Sequence, residues 1–201
     1  RKNLPELVGQ LLQHVDLASG DYQRDLVIKI IDLCSGDKYN LLADFGWYLD
    51  VLLNLSHMGS LGDDLALKLE KQVTDVALRV LPVRGYAVEK SVTILLEKDH
   101  EKQILPQVLP AIAWIVGEYS DLIDAKKHQS LNNGSKGTYH ALIKSLTATN
   151  NSQLLPTTTQ AVFLQNAMKV FAAACQSQSE TELIACLETL VHNLPVYMSS
   201  L

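Results

Sequence analysis

The stretch Asp21-Tyr22-Gln23-Arg24-Asp25-Leu26-Val27-Ile28-Lys29-Ile30-Ile31-Asp32-Leu33-Cys34-Ser35 decides the fold class. Tyr22, Leu26, Ile30 and Cys34 recur at every fourth position, and Ile31 and Leu33 widen the stripe. Arg24, Asp25, Lys29 and Asp32 take the opposite side. A helix turns once in about 3.6 residues, so this spacing buries one face and leaves the charges in water. Asp21 is placed to cap the start, because its carboxylate can accept from the free N–H groups of the first turn. Gly36 is expected to end the helix in the left-handed conformation.

The same period continues in both directions. It predicts a helix over 4–17, with Pro5 tolerated in the first turn, and another over 45–55. A third covers 64–81, with Leu69, Val73, Val76, Ala77 and Val80 inward. Pro82 separates it from a helix over 84–97 that buries Val88, Val92, Leu95 and Leu96. Further helices are expected over 107–122, 139–147, 157–175 and 181–194. No stretch alternates strongly enough to prefer a strand. Helix centres recur in pairs about 40 residues apart, the interval of HEAT and armadillo repeats, although no consensus phrase recurs. The expected fold is all-α, a HEAT/armadillo-like α-solenoid of antiparallel helix pairs, with residues 1–201 as a single segment. The polar stretches 125–137 and 147–156 read as exposed, mobile connectors.

Composition agrees with a packed helical chain. Of the 201 residues, 47% are hydrophobic and 19% charged, enough apolar material to exclude a disordered chain. Aromatics are only 6%, which favours helices packed by aliphatic side chains. The net charge of −5 argues against nucleic-acid binding, which needs a basic excess. Cys34, Cys175 and Cys186 match no zinc spacing and read as buried, reduced thiols in a cytosolic setting. Arg1 in place of an initiating Met is expected of a segment cut from a longer chain. The longest apolar run, 108–117, contains Pro110 and falls far short of the ~20 residues a membrane span needs. Glycosylation patterns begin at Asn54, Asn133 and Asn150, but they require a secreted context that nothing else supplies.

No chemistry emerges from the motifs. His100-Glu101 begins like a zinc-protease helix, but Ile104 stands where the second His would be. His14, His57, His100, His128, His140 and His192 form no pair at ligand spacing. Gly134-Ser135-Lys136-Gly137 resembles an RNA-clamping KH loop, yet its flanks read as helical and a plain connector fits better. Adjacent Asp63 and Asp64 point apart on a helix and suit the positive end of its dipole, so they read as capping acids. Nothing activates a Ser, Cys or Lys as a nucleophile. Trp47, Tyr48 and Trp114 are either binding anchors or core, and their helical spacing among aliphatics favours core. No catalytic, cofactor-binding or metal-binding residue is therefore expected, and the chain does not read as an enzyme.

Two phrases carry a family resemblance. Ala113-Trp114-Ile115-Val116-Gly117-Glu118-Tyr119-Ser120 is similar to the Trp-Ile-x-Gly-Glu-Tyr segment of the adaptin large chains. The 21–35 stretch, followed by Phe45-Gly46-Trp47-Tyr48-Leu49, resembles the delta branch of that family, and Gly85-Tyr86-Ala87-Val88 also has an adaptin look. Gamma-type chains share the Trp-Tyr and Gly-Glu-Tyr elements. These phrases lie within residues 1–125, while 126–201 reads as generic helical repeat. In the Gly-Glu-Tyr segment Gly117 would permit close helix approach, Glu118 could meet a neighbouring helix's base or cap, and Tyr119 could add a polar-tipped core contact.

The resemblance implies a scaffold segment of an adaptor-complex large subunit, acting in vesicle-mediated sorting of membrane cargo from Golgi and endosomes toward lysosome-related organelles. It implies small sigma-type, second large beta-type and medium mu-type sister subunits as partners. An Arf-type GTPase and cargo sorting signals would be met by the whole complex. The setting would be cytoplasmic, peripheral on Golgi or endosomal membranes and coated vesicles. It carries over no binding residues. Another HEAT or armadillo scaffold, such as a nuclear transport receptor or coatomer trunk, is the alternative.

Overall fold

The 21–35 stretch lies within α2 (Gly20–Tyr39), which packs against α1 (Leu4–Leu17). Leu26, Val27, Ile30, Ile31 and Cys34 are buried. Tyr22 is not: it is 62% exposed, and Gln23 turns inward instead. Gln23 Nε2 donates to the Val15 carbonyl at 3.0 Å, so a polar residue occupies the first turn of the apolar stripe. The helix begins one residue earlier than Asp21, and Asp21 sits in its first turn as an acid beside the N-terminus. At the other end Gly36 is extended, with ψ 147°, and does not go left-handed. Asp37, Lys38 and Tyr39 do, at φ 48°, 55° and 65°. Left-handed backbone costs a residue with a Cβ about 1–2 kcal/mol. Asn40 offsets part of this by donating from Nδ2 to Asp37 Oδ2 at 3.1 Å.

The computed structural model describes residues 3–59, 61–97, 104–132 and 134–200. Among them are nine helices of nine residues or more, and no strand. After α2 come α3 (Phe45–Ser56), α4 (Asp63–Arg79), α5 (Arg84–Leu96), α6 (Leu109–Glu118), α7 (Thr138–Leu146), α8 (Thr157–Ser177) and α9 (Glu180–Ser200). Each odd helix packs on the even one that follows: α1 on α2, α3 on α4, α5 on α6, α7 on α8. Odd helices then meet odd ones, α3 to α5, α5 to α7 and α7 to α9, while α4 meets α6 and α6 meets α8. Two rows of helices enclose one layer of aliphatic side chains, which is the solenoid arrangement.

Several ends differ from the spacing prediction. Val80 caps α4 and is only half-buried, and Leu81 is 67% exposed in a short 3-10 turn, Leu81–Val83. The helix expected over 107–122 is regular only from Leu109 to Glu118. Tyr119 leaves helical geometry, and a 3-10 turn, Ser120–Leu122, follows. The last helix runs on through Pro195 to Ser200. The stretch expected as an exposed connector over 147–156 contains a helical turn, Asn151–Leu154, and its Thr147, Asn151 and Leu155 are buried. No described helix is long and apolar enough to cross a membrane.

Candidate interaction surface

The Gly-Glu-Tyr phrase sits where α6 meets α8. A methyl group at Gly117 would stand 2.6 Å from Asn166 Cβ and overlap that side chain's carbonyl group. Gly117 therefore sets the separation of the two helices. Asn166 is 1% exposed; its Nδ2 donates to the Val162 carbonyl at 2.8 Å, and its Oδ1 has no hydrogen-bond partner. One residue on, Glu118 Oε2 accepts from Lys169 Nζ at 2.7 Å, again tying α6 to α8. Tyr119 packs edge-on against Trp114, with ring centroids 5.7 Å apart. The Arg84 guanidinium lies 4.7 Å over the Tyr119 ring. Arg84 also donates to the carbonyls of Ala77 at 3.1 Å and Leu78 at 2.6 Å, groups that the end of α4 leaves without helical partners. One arginine thus joins α4, α5 and α6. Sequence reasoning passed over it. The available signal was a base placed next to a helix end by the tight Pro82 turn.

The other family phrases also meet each other. The Tyr86 ring stands 3.6 Å from where a Gly46 methyl would be. Its hydroxyl donates to Asp50 Oδ2 at 2.6 Å, Lys90 pairs with Asp50 at 3.1 Å, and Lys90 lies 5.1 Å over the Tyr86 ring. Burial, then Asp50, raises the Tyr86 phenol above its ordinary pKa; Tyr86, then Asp50, raises Lys90. Asp44 caps α3 by accepting the Trp47 N–H at 3.0 Å. Tyr48 is fully buried and donates to Gln72 Oε1 at 3.1 Å, and the Tyr39 hydroxyl stands 3.1 Å from the same oxygen. Tyr39 reaches Asp75 Oδ2 at 2.7 Å as well. Burial is the main cause raising both phenols. Tyr48 is core, while Trp47 and Trp114 are half-buried against it.

Asp63 and Asp64 do more than neutralise a helix dipole. Asp64 takes both oxygens to Arg24 Nη2, at 2.9 and 2.8 Å, and Asp63 accepts from Gln107 Nε2 at 2.8 Å. The Arg24 hydrogen bond holds the Asp64 carboxyl below its ordinary pKa. Arg24 also donates to the Leu61 carbonyl, and Lys68 pairs with Asp32 at 2.8 Å. These contacts staple α2 to α4 on their solvent side.

The described residues of the connector 125–137 are docked, contrary to its polar composition. His128 is 4% exposed, and Lys127 Nζ meets Glu89 Oε2 at 2.8 Å. Thr138 Oγ1 donates across it to the Ala125 carbonyl at 3.0 Å. Glu182 of α9, 6% exposed, accepts the Tyr139 and His140 N–H groups at 3.0 and 3.2 Å and so caps α7 from a distance. Any Cβ at Gly137 would collide with that carboxylate. Gly134-Ser135-Lys136-Gly137 therefore leads from a 3-10 turn, Gln129–Leu131, into a helix, without the flanking strands of a KH fold. Among the described residues no three His, Cys, Asp or Glu side chains group to hold a metal. His100-Glu101 lies outside the described residues. Cys34 and Cys186 are buried, which pushes their thiols up to about 11 and about 12, but Cys175 is exposed, because it falls on the outer side of α8.

Apolar surface also stands open among the described residues. A groove of about 450 Å³ between α1 and α2 is lined by Leu7, Leu11 and Leu33, with Lys29 and Asp32 on its rim. On α9, Ile184, Leu187 and Val191 are 51%, 52% and 63% exposed at helical spacing. Surfaces of this kind suit protein contact.

Stacked helix pairs, glycine-set helix separations and cross-repeat staples define a helical-repeat protein of the solenoid class. Residues 1–196 match the family described as Adaptin N terminal region, and the chain belongs to that family. It is 34% identical over 211 residues to the AP-3 complex subunit delta-1 of Bos taurus, covering 100% of this chain and 16% of that relative. It is 33% identical over 180 residues to the AP-3 complex subunit delta of Dictyostelium discoideum, covering 87% of this chain and 14% of the relative. The Arabidopsis thaliana AP-3 complex subunit delta is 25% identical over 171 residues, covering 84% and 18%. The chain is delta-like, and it spans less than a fifth of the length of these relatives. The match runs through α7 to α9, beyond the phrases that carry the resemblance in residues 1–125.

Proposed function

We propose that this chain is a scaffold segment of the large subunit of an adaptor-protein complex, acting in vesicle-mediated sorting of membrane cargo from Golgi and endosomes toward lysosome-related organelles. The observation that carries this is the family match along 1–196, on a solenoid whose family phrases are its repeat junctions. Its role is positional and not catalytic. Stacked helices fix the path of the chain, and exposed aliphatic faces are offered to other chains. The partners are a small sigma-type, a second large beta-type and a medium mu-type subunit. Recruitment through an Arf-type GTPase, contact with cargo sorting signals and peripheral membrane association belong to the whole complex. Residues 1–201 act as a single solenoid segment with no catalytic, cofactor or metal residues of its own.

The test is capture of the full-length parent protein from cytosol, with its stoichiometric partners identified by mass spectrometry. One beta-type large chain, one medium chain and one small chain are expected. A Ran-type GTPase with nuclear cargo, or a set of coatomer chains, would overturn the reading.

A further inference from the structure

His140 lies at the meeting point of three pieces of chain. The backbone N–H of Lys136, on the connector, donates to His140 Nδ1 at 2.9 Å. Nδ1 can accept only while it carries no proton. The ring hydrogen is then on Nε2, which stands 3.0 Å from Thr189 Oγ1 of α9. The neutral Nε2–H form of one imidazole thus holds the connector, α7 and α9 together.

We propose that His140 and Lys136 form an acid-released latch, in which protonation of Nδ1 sets a second donor against the Lys136 N–H and frees the connector's last residues, 134–137. The groups around the ring are Lys136 on the connector, Lys144 on α7, and Glu182, Glu188 and His192 on α9. The two carboxylates favour the imidazolium. Burial, the largest influence, and the two lysines oppose it, and the balance puts His140 below the ordinary histidine value. A lowered value means that the latched state prefers the neutral ring. The latch therefore contributes fully above the ordinary histidine pKa and is lost as the pH falls through the lowered one. His128, buried in the same connector, is lowered by burial against the pull of Glu89 and Asp124, so acid acts on it in the same direction. The latched connector already borders a polar cavity of about 290 Å³ whose lining includes Gln129, Asn132, Lys136, Gln178 and Glu182.

The experiment is ¹⁵N NMR of the 201-residue chain, titrated from about pH 8 to about pH 5 across the histidine range. It reads the His140 tautomer together with exchange protection of the Lys136 amide, corrected for intrinsic exchange. The expected result is an Nε2–H tautomer at the upper end. Lys136 protection should fall as His140 titrates, by about tenfold for each pKa unit of depression. His140→Asn supplies an acceptor near the Nδ1 position that takes no proton, and should keep Lys136 protected throughout. An Nδ1–H tautomer, a Lys136 amide indifferent to pH, or an unchanged pH dependence in His140→Asn would each overturn the latch. The tautomer reading is made on the native chain and decides the matter even where the variant folds poorly.

Discussion

Helices α2–α4 and helices α7–α9 belong to the same stack but are held by different forces. In the first region the interior is mainly aliphatic: Val27, Ile30, Leu52, Leu69 and Val73 are all fully buried, and the buried polar contacts are few, chiefly Gln23 to the Val15 carbonyl and Tyr48 to Gln72. The polar staples between α2 and α4, Arg24 to Asp64 and Lys68 to Asp32, lie at the solvent edge. In the second region the buried row itself is partly polar. Glu182 caps α7, Asn193 Nδ2 donates to Thr147 Oγ1 at 3.1 Å, and His140 meets Thr189. Apolar packing rewards area and tolerates many shapes, whereas a buried polar group demands one partner at one geometry. The first region should break when a charge is put inside it, the second when a single acceptor is removed.

The largest effect is expected from Ile30→Asp, which places an unpaired charge at a fully buried site. It should cost about 4 kcal/mol in chemical denaturation. Near-native stability would mean that the register of α2 is wrong. Gly117→Ala should cost about 2 kcal/mol, because the new methyl forces α6 and α8 apart at Asn166. Adding Asn166→Ala should recover most of that loss, and simple additivity of the two changes would refute the close-approach account. Glu182→Ala leaves two N–H groups of α7 without an acceptor and should cost about 1–2 kcal/mol. A neutral result would show that the cap is supplied from elsewhere. Lys169→Ala removes a half-exposed pair with Glu118. It should cost no more than about 1 kcal/mol, and less at high salt. A loss as large as that of Gly117→Ala would shift weight from packing to charge at that junction.

The contrast between the regions also explains what the sequence disclosed. Periodicity located α1, α3, α4 and α5 to within two residues, and α2 as far as Ser35, where Gly36 leaves helical geometry, because burial there follows a 3.6-residue stripe. It failed at Tyr22, since the partner that admits Gln23 is a carbonyl on another helix. It read 125–137 as a free connector because polar composition signals solvent. There the polar groups satisfy one another, through Thr138, Ala125 and a glutamate some 43 residues away. Glu182, in the first turn of its helix, reads as a surface acid, and no local pattern names its acceptor role. Gly117 and Glu118 were legible because a glycine inside a helix calls for a packing reason, and α8 supplies it.

Hydrogen-exchange mass spectrometry of Glu182→Ala beside the wild-type chain tests this division most directly. Faster exchange confined to the connector, the start of α7 and the facing turns of α9, with α1 to α5 unchanged, is the predicted result. Uniform loosening of the whole chain, or no change in the connector and α7, would contradict it.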